Sequence, residues 1–143
     1  MKISKVLIII KILFLSNSAY SYSEKEVRLT VKQIGGPEKF LKFLVESQAK
    51  NLPQQIDAET KVLSMFATDK TLYITHQMIN VNSKEDIINE EVEKFKRFQR
   101  NKLCTSDVGK VLLNEFDIKY RYQYVSKSGQ NLITFNVDKK DCK

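Results

Sequence analysis

The sequence predicts an α+β domain in which a single antiparallel sheet of about four strands, in the order α-α-β-β-α-α-β-β, carries helices on one face and is closed by one disulfide. Three observations lead there. Two pairs of segments rich in β-formers are each joined by a short polar turn, at 61–79 and 116–137. Stretches with apolar residues at helical spacing precede each pair. The only two cysteines, Cys104 and Cys142, bracket the second pair.

The elements follow in order. Ser23 with Glu26 makes a capping box, and Val27, Val31 and Ile34 then fall at helical spacing. Gly35-Gly36-Pro37 ends that helix and starts another, because glycine takes the left-handed terminal conformation and proline suits the first helical position. The second helix presents Phe40, Leu41, Leu44 and Val45 and closes near Asn51, since Pro53 disfavours helical geometry at Leu52.

Lys61 to Ala67 and Thr71 to Ile79 form a hairpin around Thr68-Asp69-Lys70. Its second arm alternates Leu72, Ile74, His76 and Met78 with Tyr73, Thr75, Gln77 and Ile79 and is apolar enough on both faces to lie centrally in the sheet. Its first arm shows no clean pattern. Asn82-Ser83 opens the longest helical stretch, with Ile88, Val92, Phe95 and Phe98 as its expected buried stripe. Acids from Glu85 to Glu93 come early and bases from Lys94 to Lys102 late, each sign at the helix end whose dipole it complements.

Thr105-Ser106-Asp107 caps a short helix carrying Val108, Val111 and Leu112. Next, Phe116, Ile118, Tyr120, Tyr122 and Tyr124 alternate with Asp117, Lys119, Arg121 and Gln123, which predicts a strand with one wet face. Ser128-Gly129 turns the chain into Asn131 to Val137, with Ile133, Phe135 and Val137 on one side.

The first residues read as a cleaved signal peptide. Lys2 and Lys5 precede the apolar run Val6 to Leu15, and Ala19-Tyr20-Ser21 offers the small residues a signal peptidase requires. Lys11 breaks the run, which is shorter than the roughly 20 apolar residues of a membrane span. The expected domains are thus residues 1–21 as signal and 22–143 as one α+β domain, periplasmic or secreted, with no transmembrane span in the mature chain. No cysteine stands just after the apolar run to take a lipid anchor at the first mature residue.

The whole chain has 24 basic and 17 acidic side chains, a net charge of +7; losing Lys2, Lys5 and Lys11 with the signal leaves +4. An excess that mild gives little reason to expect nucleic acid, and export removes most such substrates. In an exported chain an even pair of cysteines reads as one disulfide, Cys104–Cys142.

Catalytic chemistry finds little to stand on. His76 is the only histidine and lies mid-strand, whereas hydrolytic triads and zinc sites draw mostly on histidine. The four glycines form no phosphate loop. Asp57 and Glu59, in a loop before the first hairpin, are held in reserve as a carboxylate pair. The expectation is no enzyme, no catalytic residue, no metal and no cofactor.

Basic side chains are the candidate partner-binding residues: Lys96, Arg97 and Arg100 late on the long helix, and Lys119 and Arg121 on the wet strand face, with Lys127, Lys139 and Lys140 nearby. They suit an acidic protein patch or peripheral contact with anionic lipid.

Several pieces taken together carry a resemblance: Gly35-Gly36-Pro37, Asn51-Leu52-Pro53 followed by Ile56-Asp57-x-x-Thr60, the hairpin with Leu72-Tyr73, Asn101-x-x-Cys104, the tyrosine-rich strand, Ser128-Gly129 and the terminal Asp141-Cys142. Over most of the mature chain they resemble a group of small exported bacterial proteins that includes the α/β type II secretion pilotins and the quorum-sensing-regulated virulence factors. The resemblance implies a sandwich-like α/β domain with bridged cysteines that acts through protein contacts. Pilotins of that group are lipoproteins, and a lipobox cysteine is missing here. The leading expectation is an accessory protein binding an envelope or secretion-system protein; the alternative is a periplasmic inhibitor or immunity protein against a hydrolytic toxin or lysozyme.

Overall fold

Ser23 caps helix α1, Glu24–Ile34, in a computed structural model that describes residues 22–143. The signal peptide read at 1–21, and with it the domain boundary at Tyr22, lies outside the described residues. Ser23 Oγ accepts from the Glu26 N–H at 3.3 Å, and Glu26 returns the bond by accepting from the Ser23 N–H at 3.0 Å. Gly35, at φ 107°, ends the helix in the left-handed region open to a residue without Cβ, and the Gly36 N–H closes on the Val31 carbonyl at 2.9 Å. Helix α2, Pro37–Ala49, buries Phe40, Leu41 and Leu44.

Five strands follow, where about four were expected: β1 Gln54–Gln55, β2 Thr60–Thr68, β3 Thr71–Met78, β4 Lys119–Val125 and β5 Asn131–Val137, ordered β1-β2-β3-β4-β5 in one sheet. The extra strand is the two-residue β1, too short to leave a period in the sequence. A bulge between Val62 and Ser64 explains the unpatterned first arm, since the inserted Leu63 flips the alternation.

The sheet is mixed, which corrects the expectation of a purely antiparallel one. Both hairpins are antiparallel, but β3 and β4 pair in parallel, Thr71 with Lys119 through Gln77 with Val125. The intervening residues 79–118 are long enough to cross back over the sheet, and the Lys119 N–H bonds the Lys70 carbonyl at 2.8 Å, restarting the chain beside the beginning of β3.

Within that crossover, the long helix begins later than Asn82-Ser83. The Asp86 carboxylate accepts from the Asn82 and Ser83 N–H groups at 3.1 and 3.0 Å and holds a single 3₁₀ turn, Lys84–Asp86. Ile87 and Ile88 are extended, and α3 runs Asn89–Thr105.

The expected stripe on α3 also needs correction. Val92 and Phe95 are half-buried, but Ile88 is 61% exposed and Phe98 62% exposed. Ile88 sits outside the helix, and the true stripe runs Val92, Phe95, Gln99, Leu103 at the helical period, leaving Phe98 on the flank.

Helix α4, Asp107–Lys110, passes into a π turn, Val111–Glu115, that buries Val111, Leu112 and Leu113. Phe116 remains in helical geometry and Asp117 is left-handed at φ 55°, so β4 starts at Lys119 rather than Phe116. A last 3₁₀ turn, Lys139–Cys142, brings Cys142 to Cys104, and the expected disulfide is formed.

Two layers result. By register, Leu72, Ile74 and His76 lie beside Tyr120, Tyr122 and Tyr124, which lie beside Val137, Phe135 and Ile133. Against this face pack Val27, Val31, Phe40, Leu44, Val108 and Leu112 in one apolar cluster. Among the described residues, no helix packs on the opposite face of the sheet.

Candidate functional site

The residues first considered for catalysis hold structural positions. His76 is 5% exposed and stacks on Tyr124 with ring centroids 4.6 Å apart. Burial lowers its pKa to about 4, so the imidazole is neutral at physiological pH, although the Asp57 carboxylate pulls weakly the other way. Asp57 Oδ1 accepts from the Glu59 N–H at 2.8 Å, an Asx turn that leads the chain into β2, and both acids face solvent.

The tyrosines of β4 belong to the core. Tyr120 and Tyr124 are buried, and Tyr122 stacks against Phe135 at 5.2 Å. Loss of hydration raises the pKa of all three phenols, which stay protonated. Among the described residues no group of three or more His, Cys, Asp or Glu is placed to hold a metal ion, and no helix is long and apolar enough to cross a membrane.

The five candidate basic residues divide between two sides of the molecule. Lys96, Arg97 and Arg100 ride on α3, which packs on the tyrosine face through an edge contact of Phe95 with Tyr124 at 4.9 Å. Lys119 and Arg121 alternate with Tyr120 and Tyr122 and so point to the uncovered face. Lys119 is exposed, and its neighbour Asp117 pairs with Lys139 at 3.2 Å.

On the α3 side lies a shallow groove of about 620 Å³ between the second half of the helix and the C-terminal turn. Lys94, Arg97, Phe98, Asn101 and Thr105 line one wall, which is the flank left free by the helical stripe. Cys104–Cys142 forms the floor and holds the two walls together.

Arg100 crosses the groove, its guanidinium 5.7 Å from the Phe135 ring centre and 3.6 Å from Asp141 Oδ1. Lys96 is turned aside, bonded to Glu93 at 2.8 Å. The groove therefore combines one large exposed aromatic with Arg97, Arg100 and Lys143, and with Lys94, which is paired to Glu90 at 2.7 Å, against the acid Asp141 in its lining. Such a surface favours an acidic segment with an apolar side chain to set on Phe98. Phe98 was the residue sequence reading placed in the core; following the stripe through Gln99 and Leu103 would have freed it.

No family model matches the sequence, and no curated protein matches it. Solved structures do match. A candidate secreted protein from Pseudomonas aeruginosa superposes at a TM-score of 0.61 and 14% identity, over 80% of this chain and 97% of that one. EpsS, a pilotin from the Vibrio vulnificus type 2 secretion system, does so at 0.60 and 16%, over 80% and 96%. AspS, the type II secretion system pilotin from Vibrio cholerae, does so at 0.56 and 17%, again over 80% and 96%. At these identities the likeness is one of fold, and the resemblance seen in the sequence holds at that level.

Proposed function

We propose that this chain is an exported, non-enzymatic accessory protein that docks an acidic, partly apolar segment of another envelope or secretion-system protein in the α3 groove. The observation that carries the reading is Phe98, 62% exposed beside Arg97 and Lys94 on a groove floored by a disulfide. An exposed aromatic among cations is the composition of a binding anchor, and the disulfide keeps the two walls in register without partner contacts. The shared fold with pilotins supports the same reading. Export rests on the leading segment Lys2 to Ser21.

The test is a non-reducing pull-down from envelope extract with the tagged protein, run beside its Phe98→Ala and Arg97→Glu variants. Recovery of a secretion or envelope component by the parent, and its loss from both variants, is the expected result. A partner held equally by all three proteins would place docking elsewhere. A recovered hydrolase or toxin would replace the accessory role with that of an inhibitor.

A further inference from the structure

The face of the sheet opposite the α3 groove holds a second concavity, separate from that groove. Across the middle of the face runs a slot of about 400 Å³ lined by Tyr73, Thr75, Arg121, Gln123, Asn131 and Thr134. Tyr73 is one wall. Its ring stacks on Phe66 of β2 with centroids 4.4 Å apart and planes within 5°, so its other face looks toward Arg121, the residue beside it on β4.

The floor and far wall are a chain of hydroxyls and amides. Thr75 Oγ1 donates to Gln123 Oε1 at 3.4 Å, Gln123 Nε2 to Asn131 Oδ1 at 3.4 Å, and Thr134 Oγ1 to the same oxygen at 3.1 Å. These bonds fix the orientation of both amides and leave the Asn131 N–H donors and part of the Gln123 amide without a hydrogen bond among the described residues.

Charge on this face has one sign. The ladder partners place Lys61, Lys119 and Arg121 there, and no Asp or Glu occupies any of its paired positions. Arg121 is exposed and, among the described residues, makes neither an ion pair nor a side-chain hydrogen bond. A free guanidinium in such a setting matches a carboxylate bidentately.

The backbone excludes strand addition as the mode of recognition here. β3 is paired with β2 and β4, and β4 with β3 and β5, so under the slot the main-chain donors and acceptors are used up. Recognition must come from an aromatic face, hydroxyls, amides and one guanidinium. These groups match a polyhydroxylated ring that carries a carboxylate.

We infer that this slot binds an acidic polysaccharide, with one sugar ring lying on the free face of Tyr73, its carboxylate paired to Arg121 and its hydroxyls bonded to Gln123 and Asn131. Lys61 and Lys119 extend the attraction along the chain on either side.

The test uses isotope-labelled protein with its disulfide intact, titrated by NMR with tetragalacturonate, a neutral galactose tetramer and hexaglutamate. Saturable shifts of the Tyr73, Thr75 and Gln123 amides with tetragalacturonate are expected, together with at least about tenfold weaker binding of the neutral tetramer, the share expected of one charge-assisted pair. Arg121→Gln should cost a similar factor while leaving the remaining spectrum unchanged, and Tyr73→Leu should weaken both sugars. Absence of saturable shifts in the slot would overturn the inference, as would affinity unchanged in Arg121→Gln. Hexaglutamate binding as tightly as the uronate would also overturn it and reassign the slot to an acidic protein segment.

Discussion

Acidification should destabilise this protein through His76, and the size of the effect follows from where the ring sits. The imidazole is 5% exposed, stacked on Tyr124, and its Nδ1 has no hydrogen-bond partner among the described residues. Burial disfavours the cation and lowers the folded-state pKa from 6.5 to about 4. Among the described residues the carboxylate that opposes this is Asp57; Tyr122 and Tyr124, titratable groups whose rings lie beside the imidazole, are neutral.

A folded pKa below the unfolded one means that the unfolded chain takes up the proton first. Stability is therefore unaffected above about pH 6.5, falls as pH drops toward 4, and levels off below it. The full loss is about 3 kcal/mol, at roughly 1.4 kcal/mol per pKa unit, and about 1 kcal/mol of it is reached by pH 5.5. Urea denaturation at pH 7.5 and 5.5 measures it, with His76→Phe as the reference because that ring keeps the stack on Tyr124. The parent should lose about 1 kcal/mol more than the variant between the two pH values, other titrations cancelling in the difference. Equal losses in the two proteins would show that His76 carries its proton in the fold and that the burial argument fails.

Three further outcomes are expected. Reducing Cys104–Cys142, or replacing both cysteines by serine, opens a loop closed across a separation of 38 residues and should cost about 3 to 4 kcal/mol in urea unfolding. Gly109→Ala, which in an ordinary helix interior is stabilising, should here cost about 3 kcal/mol or more. An added Cβ would lie 1.8 Å from the Leu103 carbonyl oxygen, held in place by Ser106 Oγ at 3.0 Å, and a thermal melt reads the loss. Gly35→Ala should cost only about 1 to 2 kcal/mol: its φ of 107° is the obstacle, while the atom it would crowd is the movable Lys39 side chain.

Local chemistry was legible in the sequence wherever a short motif suffices. The Ser23–Glu26 box, the Gly35-Gly36-Pro37 break, the Ser106 cap and the two hairpin turns each act over a few residues, and each element they bound is present. The same holds for Tyr120 and Tyr124, whose alternation placed them in the core. The α3 groove was half legible: Arg97 and Arg100 were singled out, but Phe98 was assigned to the interior because a fixed three-residue spacing drifts off a helical face.

What the sequence determined by itself is most of the elements, the buried faces of all but the long helix among them, and the pairing of two cysteines, because these depend on periodicity and on residues near one another along the chain; the two-residue β1 and the true stripe of α3 escaped it. Tertiary structure decided the rest. Whether β4 runs with or against β3 depends on how residues 79–118 cross the sheet, and no local pattern records that path. The same crossing carries α3 onto the tyrosine face, where Arg97 lines a groove closed by the C-terminal turn, while Arg121 lines a separate slot on the opposite face.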